Sequence, residues 1–442
     1  MANWKAKPNR KPLILRGARQ VGKTTVVQQL GRGYPQTIFL NLEKPEDRNF
    51  FEAYDDVHTI TDALFLSRNL TSERKDTLLF IDEIQESPKA IQLLRYFYEE
   101  IPDLPVIAAG SLLEFAMRKV PSFPVGRVDY LFVHPLNFPE YLEALSHQTA
   151  LKQLHEVPVK PFAHTTLLNL FHTYAIIGGM PEVVQTYVEQ ERDITALPAV
   201  YESIWGTYRN DVEKYASNES ERRVIKHIMA TAPLYVDQRI KFQNFGNSNY
   251  RSREVGEAMR SLDDASVIRL IYPTTDQEAP LKPDLKKSPR LQFLDTGLIN
   301  HELGIQAEML SLQDMSQAYR GSIIPHLVTQ ELISLNTLNN KKPHFWVREK
   351  AQASSEVDLV YTYQSKVIPI EIKSGSTGSL KSLHQFIERV NHPYAVRLYA
   401  GEFAVVRTQT PAGTPYLLMN MPYYLGTKLP EYIAWFVSEH QL

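Results

Sequence analysis

The chain predicts an α/β fold centred on a parallel sheet, with further domains behind it. Three observations carry this. The first is LILRGARQVGKTTVVQQL near the N-terminus, where Gly17, four intervening residues and Gly22-Lys23-Thr24 follow one another. The second is TLLFIDEIQ, a continuous apolar run that ends in Asp82-Glu83. The third is length: 442 residues exceed one typical core, so roughly two to four domains are expected.

Leu13-Ile14-Leu15 reads as the strand that enters the glycine pattern, and the residues from Thr25 onward as the helix that leaves it. Glycines let the backbone bend so that successive N–H groups face an anion. The helix N-terminus adds its partial positive charge. Lys23 can reach the β- and γ-phosphates of a nucleotide, and the Thr24 hydroxyl can ligate Mg²⁺. Gly17, Gly22, Lys23, Thr24 and Thr25 form the predicted nucleotide-binding set. A chance turn is the other origin of such a pattern, and the flanking strand and helix argue against it.

Thr77 to Ile81 reads as a buried parallel strand. At its end Asp82 would hold Mg²⁺ through water, and Glu83 would orient and deprotonate an attacking water. Two acids at a strand end also make an ordinary solvated turn, but beside a phosphate loop they fall where ligands bind, beyond the carboxyl ends of such strands. Further strands are expected at Thr37–Leu42, Val106–Ala109 and Asp129–Val133, with a helix over Lys89–Glu100. Gly110-Ser111 follows the fourth strand. Ser111 either senses the γ-phosphate or caps the helix SLLEFAMRKV. Arg127, after PSFPVG, either reaches phosphate in its own subunit or a neighbour's, as an arginine finger does, or is a solvated loop residue.

Hydrophobic residues make up 43% and charged residues 22% of the chain, with a formal net charge of −2. These are the proportions of a soluble globular protein, and the charge does not favour a nucleic-acid partner for the whole molecule. There is no cysteine, which excludes disulfides, thiolate zinc sites and cysteine nucleophiles and fits a reducing compartment. No leader pattern and no membrane-length apolar run of about 18 residues is seen; VIAAGSLLEFAM is cut by Glu114. A cytoplasmic location is expected, with no membrane partner.

From HPLNFPEYLEAL to Tyr187 the pattern is helical. Gly178-Gly179 break it and Pro181 starts the next helix; the corner is either a plain helix connection or a backbone surface for the nucleotide base. Farther on, ERRVIKHIMATAP and SREVGEAMRSL read as helices, and ASVIRLIYP and RLQFLDTGLI as extended pieces, together a plausible winged helix. Between 221 and 253 there are seven Lys/Arg and two acids, an excess of five. That is a modest basic face, open to DNA or simply solvated.

In the last segment, Val357–Tyr363 and Val367–Ile372 read as a hairpin. Asp358 lies on its first strand; Glu371 and Lys373 lie on one face of the second and just beyond it. Thirteen positions separate Asp358 from Glu371, which suits acids placed side by side. Two carboxylates can hold Mg²⁺ while a lysine positions water, with Glu331 of HLVTQELISL as a third carboxylate. The bland alternative is a hairpin with charges on its solvent face. Glu356 is read as a spare acid pointing away from Asp358.

GARQVGKTT, FIDEIQ, FPVGR, GGMPEVV, FLDTGL and SEVDLV…IPIEIKSG occur in that order over nearly the whole chain. This resembles a large prokaryotic family of AAA+-type P-loop ATPases with a C-terminal domain of unknown function. The resemblance implies an ATPase core over 1–135, a helical lid over 136–194, a winged-helix-like domain over 195–310 and a PD-(D/E)xK nuclease-like domain over 311–442. It implies ATP and Mg²⁺ as cofactors, Asp82 and Glu83 serving metal and water, Ser111 as the sensor and Arg127 as the family's GR arginine. Asp358, Glu371 and Lys373 match the nuclease-like signature, with Glu331 as its upstream acid. Such chains carry a longer lead-in before the Trp that corresponds to Trp4, so an adenine-side contact is expected to be missing or supplied elsewhere. The expected function is an ATPase coupled to a DNA transaction; the alternative is a nucleotide-gated switch, or a protein-interaction module with an inactive nuclease-like fold.

Overall fold

The computed structural model describes residues 1–71, 73–111, 113, 124–216, 218–306, 317–350, 353–375 and 378–442. Five short strands run parallel near the N-terminus: β1 (Leu13–Arg16), β2 (Gln36–Asn41), β3 (Thr77–Asp82), β4 (Val106–Ala109) and β5 (Asp129–Phe132), in the order β2-β3-β4-β1-β5. All six residues of β3 are buried, as a strand covered on both faces requires. Strand alternation divides the apolar residues between two cores. Ile14, Leu79, Ile81 and Ala108 pack with Phe51, Ile60, Leu94 and Phe97 on one face. Leu13, Leu15, Leu78, Phe80 and Ile107 pack with Trp4 and Val27 on the other. The crossover helix Pro88–Glu100 has Pro88 in its first turn and Ser87 as N-cap, whose side chain accepts from the Ala90 N–H; both choices suit a helix start.

The described chain divides into two compact units. One is Met1–His134 with Asp264–Ser266 and Asn336–Asn340; the other is Pro135–Asp263, Val267–Leu335 and Lys341–Leu442. The helices expected as a lid therefore group with the C-terminal elements. They are Phe138–Ala144, Gln148–Leu154, His164–Ile177 and Pro181–Glu189. Helices Leu197–Tyr215, Glu219–Thr231 and Ser252–Asp264 follow, then the antiparallel pair β6 (Ile268–Ile271) and β7 (Arg290–Phe293), with Arg239 bridging to Arg290. After helices Thr296–Glu302 and Gln317–Ser334 comes a six-stranded mixed sheet. Its strands are β8 (His344–Lys350), β9 (Ala353–Tyr363), β10 (Lys366–Ile372), β11 (Tyr394–Tyr399), β12 (Ala404–Gln409) and β13 (Pro415–Pro422), in the order β12-β13-β11-β10-β9-β8. The fold is α/β overall, and its first sheet is that of a P-loop NTPase. Among the described residues no helix is long and apolar enough to cross a membrane.

Candidate functional site

The phosphate loop leaves β1 at Gly17 and enters the helix Lys23–Gly31 at Gly22. Gly17 has φ +145°, and a Cβ there would lie 2.2 Å from the Val133 carbonyl oxygen. Gly22 has φ +88°. Both positions exclude a side chain, one by backbone contact and both by conformation. Lys23 is buried, and its Nζ donates to the carbonyls of Gly17 (3.1 Å) and Ala18 (2.7 Å). Burial pushes its ammonium down to about 8, against the opposing pull of Glu83 and Asp82. The Thr24 hydroxyl donates to Asp82 Oδ2 at 2.7 Å. Thr25, the next residue in the helix, is exposed.

Asp82 ends β3 and is buried. Desolvation raises its carboxyl; the Thr24 hydrogen bond works against that rise and the neighbouring Glu83 adds to it. Glu83 turns into the left-handed region, φ +50°. Its N–H donates to Asp82 Oδ1 (3.1 Å), and its own Oε2 accepts from Gln85 Nε2. Gln85 was not singled out from sequence; a Gln two residues after a strand-end acid carries no pattern of its own. Ser111 lies just past β4, which runs between β1 and β3. Its hydroxyl is buried and has no hydrogen-bond partner among the described residues. Most of the helix it was expected to cap, residues 112 and 114–120, lies outside the described residues.

These groups fit a magnesium–nucleotide. A glycine-framed loop, a desolvated ammonium on backbone carbonyls, a hydroxyl–carboxylate pair and a buried hydroxyl with no partner among the described residues converge at the carboxyl ends of β1, β3 and β4.

Arg127 is placed differently. It precedes β5, whose first residue pairs with Leu13 at the start of β1, whereas the phosphate loop begins past the other end of β1. Four strand residues of about 3.3 Å each separate those ends, so Arg127 does not reach the loop of its own chain. Its Nε instead pairs with Glu99 Oε1 at 2.9 Å.

In the second unit, Gly178-Gly179 meet FLDTGL. Asp295 is fully buried and accepts from the Gly179 N–H (2.6 Å) and the Leu298 N–H (3.2 Å). A Cβ on Gly297 would lie 1.9 Å from the Ile177 carbonyl, and one on Gly179 would lie 2.0 Å from that of Leu136. The glycines of both motifs thus permit a backbone-to-backbone junction. Glu331 belongs to this junction. Its carboxylate accepts from the Phe138 N–H (3.1 Å to each oxygen) and the Tyr174 hydroxyl (2.8 Å). Burial pushes it up to about 8. The third carboxylate expected for the hairpin site is therefore spent on starting the helix Phe138–Ala144.

The hairpin itself is β9–β10, antiparallel, and its register runs to Ile370 opposite Leu359, the chain neighbours of Glu371 and Asp358. Asp358 Oδ2 accepts from the Ile372 N–H at 2.8 Å. Lys373 Nζ donates to Glu371 Oε1 at 2.5 Å. Burial, then the Asp358 charge, push Glu371 up to about 7. Glu356 does not point away from Asp358. Residues two apart on a strand share a face, and one side chain, Arg290 of β7, binds both. Arg290 and its further neighbour Asp237 were missed from sequence, because neither lies in a motif.

Residues 9–142 match the family described as AAA domain. Residues 168–309 and 320–417 match two domains of unknown function, DUF8612 and DUF4143. An AAA-type domain is thus followed by two domains whose roles carry no assignment. An uncharacterized protein of Mycobacterium bovis and one of Mycobacterium tuberculosis are each 22% identical to this chain over 428 residues, covering 91% of it and 79% of the relative.

Proposed function

We propose that the chain is a Mg²⁺-dependent ATPase. The observation that carries this is the 2.7 Å Thr24–Asp82 hydrogen bond beside a buried Lys23 that donates to the loop carbonyls of Gly17 and Ala18. Backbone N–H groups of Gly17–Thr25 and the Lys23 ammonium would hold the phosphates; Thr24 and Asp82 would hold the metal. Magnesium, when bound, neutralises charge on the phosphate oxygens. Glu83, steadied by Gln85, accepts the proton of the attacking water. Ser111 donates toward the terminal phosphate from between β1 and β3. Arg127 acts on the phosphates of a neighbouring subunit.

Glu83→Gln is expected to keep ATP binding and to lower kcat by about 10²- to 10⁴-fold, the usual worth of a general base. Hydrolysis at the wild-type rate by this variant would remove Glu83 from that role.

Coupling of hydrolysis to DNA is the broader proposal. It is supported by helices Glu219–Thr231 and Ser252–Asp264 leading into the β6–β7 hairpin, a winged-helix-like order, with Arg223, Lys226, Lys241 and Arg251 exposed. Against it, Arg222 pairs with Glu219, Arg239 with Glu349 and Arg253 with Glu257, which spends part of the basic excess. A nucleotide-gated switch acting on a protein is the second reading. ATPase assays with and without double-stranded, single-stranded and junction DNA separate the two: stimulation supports the DNA reading, and an unchanged rate with every form supports the switch.

A further inference from the structure

A PD-(D/E)xK-like hairpin implies a divalent metal between its carboxylates, and the residues present do not fit one. Asp358 has both oxygens engaged: Oδ1 by Arg290 Nη2 at 3.1 Å and Oδ2 by the Ile372 N–H at 2.8 Å. Glu371 has one oxygen on Lys373 and its other, Oε2, buried without a hydrogen bond. Glu331 is committed to Phe138 and Tyr174. Among the described residues no three His, Cys, Asp or Glu side chains converge as a metal site.

The positive charge is already supplied by the chain. Arg290 is buried, 6% exposed. Its guanidinium donates to Glu356 Oε1 through Nε (2.9 Å) and Nη2, and to the Asp358 carbonyl through Nη1 (3.2 Å). Asp237 Oδ1 lies 3.9 Å from Nη1 and accepts from Gln292 Nε2. The Phe345 ring covers the guanidinium at 4.6 Å. A planar, always-charged fork suits several carboxylates at once, and a buried arginine so surrounded already neutralises the charge that would draw a second cation to the same oxygens.

We propose that Asp237, Glu356 and Asp358 form an arginine-closed ion network, with Lys373 on Glu371, rather than a divalent-metal site; Arg290 and Lys373 bring the positive charge that a metal would, and Arg290 ties the β6–β7 hairpin to the C-terminal sheet. Two further links between the same parts agree with this: Thr274 bridges to Trp346 and Glu278 to Lys366, both from the loop between β6 and β7. The nuclease-like domain then serves as a joint or binding module and does not cleave through a metal at Glu371. This deepens the second reading above, yet it holds whether or not the P-loop hydrolyses ATP.

The test uses the full chain without nucleotide and Mn²⁺ alone as the probe. Free Mn²⁺ is read by electron paramagnetic resonance during titration of wild type, Glu371→Gln and Asp358→Asn. Identical stoichiometry in all three is expected, since any Mn²⁺ at Thr24 and Asp82 is common to them. One equivalent more in wild type than in both variants would overturn the proposal. A second measurement is thermal. Arg290→Met, which removes the charge and keeps much of the length, should melt below wild type, and 1 mM Mn²⁺ should raise its melting temperature by more than it raises that of wild type, since any Mn²⁺ at Thr24 and Asp82 stabilises both. A Mn²⁺-induced rise in wild type that Glu371→Gln abolishes would also overturn it. If Arg290→Met does not fold, the titration of the two carboxylate variants decides alone.

Discussion

Raising the pH through 8 should discharge Lys23 in the nucleotide-free protein and so weaken ATP binding. Burial holds this ammonium at about 8 when the loop is empty; among the described residues its hydrogen bonds go to two neutral carbonyls. Phosphates restore its charge, so binding takes up a proton once the free protein has lost one. The sign follows: affinity is flat below about pH 7 and falls as pH rises. With that value the charged fraction drops from about 90% at pH 7 to about 10% at pH 9, and the apparent Kd rises by the inverse ratio, roughly tenfold or ~1.3 kcal/mol. Equilibrium titration with a fluorescent ATP analogue and Mg²⁺ at pH 7, 8 and 9 reads this directly. Lys23→Arg keeps its charge throughout this range and should bind with a flat pH profile, whatever its absolute affinity. A wild-type Kd that stays within twofold from pH 7 to pH 9 would refute the claim that this lysine is desolvated.

Other expectations follow from the second unit. Gly297→Ala meets the Ile177 carbonyl at 1.9 Å and should lower the melting temperature by several degrees, whereas Gly206→Ala, inside a helix with nothing within 4 Å, should be neutral or stabilising by up to about 1 kcal/mol; equal shifts would contradict the junction. Glu331 sits at about 8 when folded against an ordinary 4.5, so its stabilising share is full at low pH and is lost as pH rises toward 8, at roughly 1.4 kcal/mol per pH unit. Denaturant unfolding followed by tryptophan fluorescence should therefore show the gap between wild type and Glu331→Gln narrowing by about 2.5 kcal/mol from pH 5.5 to 7.5; a constant gap would mean Glu331 is ionised in the fold. Reversing Arg223, Lys226 and Arg251 should weaken DNA binding and make its logarithmic salt dependence shallower by up to about 3, near 0.9 for each lost phosphate contact, and an unchanged slope would move the weight to a protein partner.

The glycine loop of the candidate nucleotide site was legible because its parts are local. Gly17, Gly22, Lys23 and Thr24 lie within eight consecutive residues, and the backbone they demand is set by steric rules that operate between neighbours. Asp82-Glu83 was legible for a similar reason: a strand of unbroken apolar residues announces burial, and acids at its end announce where burial stops. Even the sheet's two-sided packing is written in the alternation of Leu78, Leu79, Phe80 and Ile81 between two cores. The β9–β10 hairpin was legible from spacing, and there period-two geometry should also have placed Glu356 beside Asp358.

What only the tertiary structure decided is which charges meet. Arg290 reaches Glu356 and Asp358 across 66 and 68 positions of sequence, and Glu331 reaches Phe138 across 193. No local pattern marks such partners, since an ion pair depends on distance in space and on the removal of water, and both are products of the completed fold. The same holds for Arg127, whose place at the wrong end of β5 follows from strand direction and pairing order. Local sterics therefore fixed the loop that can hold a nucleotide, while long-range packing determined that Glu331 starts a helix and that Arg290 closes the acid cluster.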